Sequence, residues 1–299
     1  MIRILIRGTV AIVTAAILAG CASTDGTEPV GGSFATATAQ DSAGPKTVDP
    51  AYGKGVRAPR SPRESDVPME DFYRRAAEIA ISEGKTYGAI AHLSKVIETS
   101  PTDKKIAYDL ARHLRYIGAL SDAEGALNSA LTIHPSDMLL KLEFAKVRIA
   151  QGRAKEALVL LRSLHAESPQ DPSILQAFAV AQDRSGDHSK AQRTYAKAIR
   201  LGQPSAALLN NAALSYLMSG DAPRAVSMLR DAAAAPGASV QVRQNLALAL
   251  VFTGQHDEAR QIAEAALPKA LADRALGYYQ SLARNPQQLR GAWNVAAKT

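Results

Sequence analysis

The sequence predicts an all-α array of six helix–turn–helix units, each 34 residues long. Three observations carry this. Six glycines, Gly84, Gly118, Gly152, Gly186, Gly220 and Gly254, follow one another at steps of 34. An alanine stands seven positions before each of them (Ala77, Ala111, Ala145, Ala179, Ala213, Ala247) and another five after (Ala89, Ala123, Ala157, Ala191, Ala225, Ala259). Finally, no segment shows the alternation of apolar and polar residues that a half-buried strand requires.

Each phase has a physical task. The first alanine lies where the two helices of a unit cross closely, and a larger side chain would hold them apart. The glycine ends the first helix, because it adopts a left-handed conformation at little cost. The second alanine lets the second helix approach the next unit. Large residues fill the gaps at one phase of the second helix: Leu93, Leu127, Leu161, Tyr195 and Leu229. Prolines close the first three units at one phase, Pro101, Pro135 and Pro169. No unit buries its apolar face alone, so the units stack into a solenoid. Period and pattern together are the tetratricopeptide (TPR) signature.

In chain order, residues 1–20 read as a signal peptide. Arg3 and Arg7 precede the apolar run Gly8 to Ile17, which is too short to span a bilayer. Leu18-Ala19-Gly20-Cys21 follows. This tetrad resembles the lipobox of bacterial lipoproteins, which implies lipidation at Cys21. Cys21 is the chain's single cysteine, so it has no internal disulfide partner. Ala22 stands where an aspartate would imply retention in the inner membrane. The resemblance therefore implies an outer-membrane anchor facing the periplasm, held by several acyl chains. Residues 21–66 are rich in Gly, Ser, Thr, Ala and Pro without periodicity, the composition of a disordered linker. Its second half carries Lys46, Lys54, Arg57, Arg60 and Arg63. That is a solvated spacer or, alternatively, a contact to anionic lipid or peptidoglycan.

The solenoid is expected over 67–271, with helix pairs 69–82/86–99, 103–116/120–133, 137–150/154–167, 172–184/188–201, 205–218/222–235 and 239–252/256–266. Ser121 with Glu124 reads as a capping box, and Asp171-Pro172 as a cap before an N1 proline. Arg148 and Gln182 interrupt a phase that is apolar at Leu114, Tyr216 and Leu250, which predicts looser packing or exposed side chains in the third and fourth units. Residues 272–299 form C-terminal capping helices, drawn as 270–284 and 287–296, with Leu271, Leu276, Tyr279 and Leu282 inward and Trp293 near the end.

Composition and motifs exclude several kinds of chemistry. There is no GxGxxG, Walker A, HExxH or nucleophile-elbow sequence, so no enzyme class is indicated and no cofactor is expected. The histidines, His92, His113, His134, His165, His188 and His256, occupy unrelated phases apart from His188 and His256, so no metal site is expected. The net charge of +7 falls to +5 once Arg3 and Arg7 leave with the signal peptide. With aromatics at 5%, a nucleic-acid partner is not expected.

In solenoids of this kind the first helices line the concave face. Candidate partner-binding residues read by phase are Tyr108, Arg112 and Arg115 at one end, a polar and basic stretch. At the other they are Asn210, Leu214, Leu217, Met218, Leu248 and Phe252, an apolar one. Asn211 and Asn245 share a phase one repeat apart, where an amide offers a donor and an acceptor to an extended peptide. The alternative is that both asparagines bridge neighbouring helices and that the C-terminal helices cover the apolar patch.

The stretch Leu209-Asn210-Asn211-Ala212-Ala213-Leu214-Ser215-Tyr216-Leu217-Met218-Ser219-Gly220-Asp221 carries a further resemblance, as does Val242-Arg243-Gln244-Asn245-Leu246-Ala247-Leu248-Ala249-Leu250. With the lipobox and six repeats before a short helical tail, the chain is similar to TadD-type TPR lipoproteins of tight-adherence (Flp) pilus systems. That resemblance implies an outer-membrane factor that supports assembly or localisation of a pilus secretin by protein binding, without catalysis. Partners are then a secretin or another pilus assembly component, not a small-molecule substrate. An adaptor of another envelope machine, such as a type IV pilus pilotin or a peptidoglycan-hydrolase scaffold, is the second reading.

Overall fold

The computed structural model describes residues 69–202 and 204–289. The lipobox with Cys21, the linker and Trp293 lie outside the described residues. Every element among the described residues is helical. In order they are α1 (Met69–Ser82), α2 (Thr86–Thr99), α3 (Lys104–Tyr116), α4 (Leu120–Ile133), α5 (Met138–Ala150), α6 (Ala154–Glu167) and α7 (Pro172–Arg184). Then come α8 (His188–Arg200), α9 (Ala206–Ser219), α10 (Ala222–Ala234), α11 (Val240–Phe252), α12 (His256–Ala266) and α13 (Lys269–Arg284). The expected helix pairs are all present. The last helix runs through the expected boundary after residue 271.

The six turn glycines all take positive φ, from 69° at Gly84 to 95° at Gly220. Each closes a first helix with the same pair of hydrogen bonds. At the end of α3, Gly118 N donates to Arg115 O at 3.1 Å and Ala119 N to Leu114 O at 2.9 Å. This Schellman pattern satisfies carbonyls that the helix leaves unpaired. A Cβ on Gly118 would meet nothing within 4 Å, so the requirement for glycine there lies in the backbone alone.

The turn also decides how the second helix starts. The chain leaves the Schellman turn at Ala119, which is itself the N-cap of α4 and has no side chain to cap with. The expected Ser121–Glu124 capping box therefore does not form. Glu124 instead meets Arg148 at 2.8 Å and Gln151 Nε2 at 2.5 Å in the next repeat. Longer inter-repeat loops leave room for true caps. Asp103, Asp137 and Asp171 each accept two backbone N–H groups, and Pro172 follows Asp171 as expected.

The contacts divide the described chain into two compact units, residues 69–99 and 100–289. In the first, α1 packs on α2 through buried Ala77, Ala80, Ala89, Leu93 and Val96, and Glu70 pairs with Arg74 at 2.7 Å. In the second, five helix pairs stack in sequence and α13 follows. One apolar cluster joins α5 through α9, around Leu161, Leu175 and Tyr195. Another joins α9 through α13, around Leu229, Leu250 and Tyr279.

Arg148 and Gln182 do not loosen their repeats. The Arg148 guanidinium lies 4.6 Å from the centre of the Phe144 ring while paired with Glu124. Gln182 is buried and accepts a hydrogen bond from Thr194 Oγ1 at 2.8 Å. A polar side chain is accommodated at this phase because the facing second helix supplies its partner.

Candidate functional site

The candidate site is the inner row of first helices, α3, α5, α7, α9 and α11, which lie side by side at one-repeat spacing. At its α3 end, Tyr108 and Arg112 are half-buried and Tyr116 is exposed. Arg115 is not offered to a partner. Its Nε donates to Glu143 Oε1 at 2.6 Å, and Lys146 Nζ sits 3.5 Å from the other Glu143 oxygen. All three side chains are almost wholly enclosed, so the cluster links α3 to α5 and removes Arg115 from the expected binding surface. Two cations around one carboxylate offset its desolvation, and removing either would leave buried charge unbalanced.

The middle of the row is held by Asp183 on α7. Ser215 Oγ donates to Asp183 Oδ1 at 2.7 Å from α9, and His188 Nδ1 lies 2.8 Å from the same oxygen. Burial pushes the Asp183 carboxyl above its ordinary range, while the bonds from His188, Ser215 and Tyr195 oppose that shift. The serine hydroxyl points at the carboxylate and not at the imidazole. The three groups therefore pin α7 to α8 and α9 and do not form a nucleophile with its base. Among the described residues no group of three His, Cys, Asp or Glu side chains is placed to hold a metal ion.

The α9–α11 end differs most from the sequence expectation. Asn210, Asn211 and Asn245 are at most 2% exposed. Asn245 Nδ2 donates to Asn210 Oδ1 at 2.7 Å, Gln241 Nε2 donates to Asn245 Oδ1 at 3.3 Å, and Asn210 Nδ2 reaches Asn211 Oδ1 at 3.5 Å. Asn210 and Asn245 therefore bridge α9 and α11, while Asn211 is enclosed on α9 with its Nδ2 unpartnered, so none of the three is placed to grip a peptide. Leu214, Leu217, Met218 and Leu248 are likewise buried, and Phe252 is half-buried against the same cluster. On α9 this burial comes from α10 and α11 packed against it, and on α11 from α12 and α13, the last bringing Leu276, Tyr279 and Leu282 into that core. An apolar row that an open groove would show to a partner is buried against the neighbouring helices, with α13 covering α11 at the end.

Of the expected partner-binding residues, Tyr108 and Arg112 thus remain partly accessible together at one end, and Phe252 alone at the other. Sequence reasoning missed Glu143, Lys146 and Asp183. Lys146 and Asp183 had a signal, charge at phases that are apolar in later helices (Val180, Leu214 and Leu248; Leu217 and Val251), whereas Glu143 shares the polar phase of Asn211 and Asn245.

Helix pairs at a 34-residue step, left-handed turn glycines and an alanine-lined crossing in every unit define a tetratricopeptide-repeat solenoid fold. Two family models, both described as tetratricopeptide repeat, match residues 148–212 and 240–265. A thermophilic TPR protein of Thermus thermophilus, TTC0263, superimposes with a TM-score of 0.55 at 18% identity, over 61% of this chain and 99% of that one. MamA of Desulfovibrio magneticus superimposes with a TM-score of 0.46 at 17% identity, over 55% and 92%. In sequence, an uncharacterized protein, y4yS, of Sinorhizobium fredii is 34% identical over 110 residues. That match spans 36% of this chain and 59% of the relative. TPR folds of this kind serve as protein-interaction scaffolds.

Proposed function

We propose that the protein is a non-catalytic scaffold, anchored by a lipid on Cys21 to the periplasmic face of the outer membrane. Its role is to bind a protein component of an envelope assembly machine. The observation that carries this is the conjunction of a lipobox-like Leu18-Ala19-Gly20-Cys21 with a TPR solenoid. The machine is the Flp (tight-adherence) pilus and the partner its secretin, a reading supported by the similarity of the α9–α11 sequence to TadD-type lipoproteins. None of the helices among the described residues is long and apolar enough to cross a membrane. The anchor in this reading is the lipid on Cys21, whose acyl chains hold the protein at the bilayer. The partner is received at the α3 end of the row, where Tyr108 and Arg112 keep part of their surface.

Two experiments test this. Metabolic labelling with a palmitate analogue should mark the wild type and not Cys21→Ser; label retained on the serine variant overturns the anchor. Crosslinked pull-down from envelopes should recover a secretin, and Tyr108→Ala/Arg112→Ala should reduce its yield at unchanged helicity. Recovery of pilotin partners or peptidoglycan hydrolases in place of a secretin would move the protein to another envelope machine.

A further inference from the structure

Helix α8 carries Lys190, Arg193, Lys197 and Arg200 and no carboxylate. Steps of three, four and three keep these residues along one face. Lys190 is paired with Asp187 at 2.9 Å. Arg193, exposed, and Lys197, half-buried, make no ion pair with any described residue.

This face forms one wall of a cavity of about 280 Å³, to which α8 supplies Lys190, Arg193, Thr194 and Lys197. His165 from α6 and Leu175 and Gln182 from α7 complete the lining. Gln182 and Thr194 satisfy each other. The His165 ring lies tilted against Phe178 at 5.6 Å, and its Nδ1 is buried without a hydrogen-bond partner. The cavity thus combines an imidazole ring with an unsatisfied nitrogen and two cations, Arg193 and Lys197, that have no carboxylate partner among the described residues.

We propose that this cavity binds an acidic segment of a protein partner, its carboxylate meeting Arg193 and Lys197 and an adjacent apolar side chain resting on the His165 ring. This rests on the scaffold reading above. Charge complementarity selects an anionic occupant. The cavity is largely open to solvent, so a side chain can enter it while the rest of its own chain lies outside. The basic face is only about 15 Å long by helix rise, and His165 is the one aromatic ring in the lining, so there is no row of platforms for successive bases and a peptide fits better than a nucleic-acid strand. Burial and the nearby Lys197 charge hold the His165 imidazole below its ordinary range, and a bound carboxylate opposes both effects.

The test uses the full chain and a fluorescein-labelled peptide of alternating glutamate and leucine, followed by polarisation and by the His165 imidazole NMR signals. Binding should weaken with salt. Arg193→Glu/Lys197→Glu should lose at least about tenfold in affinity, whereas Arg224→Glu, the matching position to Lys190 one repeat on, should bind as wild type. The apparent pKa of His165 should rise when peptide is added. Equal binding by the double variant, an equal loss in Arg224→Glu, or an unmoved His165 overturns the proposal. So does tighter binding of an oligothymidylate through the same residues. Should the double variant misfold, Lys197→Gln read by the His165 signals decides. Failure here with a secretin still recovered from envelopes would leave the scaffold reading intact.

Discussion

Twelve alanines, before and after the turn glycines, are at most 1% exposed, so at each one a helix backbone lies against a neighbour. Ala213→Leu is therefore expected to overpack a crossing and cost about 1–3 kcal/mol, seen as a lower melting temperature. An unchanged melting temperature would mean that the crossing has room. Asn245 belongs to the same scale. On an open groove its truncation would spare the fold. Bridging Asn210 inside the array, Asn245→Ala instead leaves a buried carbonyl oxygen unpaired, at about 1–3 kcal/mol in chemical denaturation. Asp183 makes stability depend on pH. Burial raises its folded pKa above the ordinary 3.8, so between those values the folded state keeps a proton that the unfolded chain has lost. This group's contribution is thus fully present below about 3.8 and is lost as pH rises through the folded pKa. Asp183→Asn should flatten that decline in urea titrations across the acidic range. A slope identical to wild type would assign the dependence to other groups.

At the scale of elements, the first helices share one termination and the second helices inherit its consequences. Gly118→Ala should cost about 1–2 kcal/mol from the left-handed backbone alone, since the added methyl touches nothing. A variant as stable as wild type in denaturant would show that the turn relaxes to another geometry. The closing element is α13. Ala272, Ala275, Leu276, Tyr279 and Leu282 are buried along one face of it, which gives the array an end that would otherwise be apolar. Its packing is imperfect at one atom. The Tyr279 hydroxyl is buried without a hydrogen-bond partner, and burial pushes its pKa upward. Tyr279→Phe should raise stability by about 1 kcal/mol, because it removes an unpaired polar group and keeps the ring. A loss of stability would reveal a partner for that hydroxyl.

For the molecule as a whole, contacts run mostly between neighbouring helices, as a repeat array requires. Both apolar clusters lie within residues 100–289. A fragment from Ser100 to Thr299 should therefore keep its helicity and a cooperative thermal transition by circular dichroism. A gradual, non-cooperative loss of signal would show that residues before Ser100 are needed for that core.

Period, small residues and turn chemistry are local, and the sequence by itself determined the helix pairs, the left-handed glycines and the buried alanine phases, because each depends on residues within one unit. The Asp171-Pro172 cap was legible for the same reason. The Ser121 capping box was not, since the short turn Ile117–Gly118–Ala119 brings the chain into α4 before Ser121 can cap it. The candidate site was legible only in part. Phase placed Asn211, Asn245, Leu214 and Leu248 on the inner row, and tertiary structure decided that this end of the row is closed. Whether an inner residue meets solvent depends on neighbours about 34 residues away and on where the final helix folds back. Repeat phase carries neither, so Arg115 found Glu143, Asn245 found Asn210, and the apolar row closed against the helices beside it.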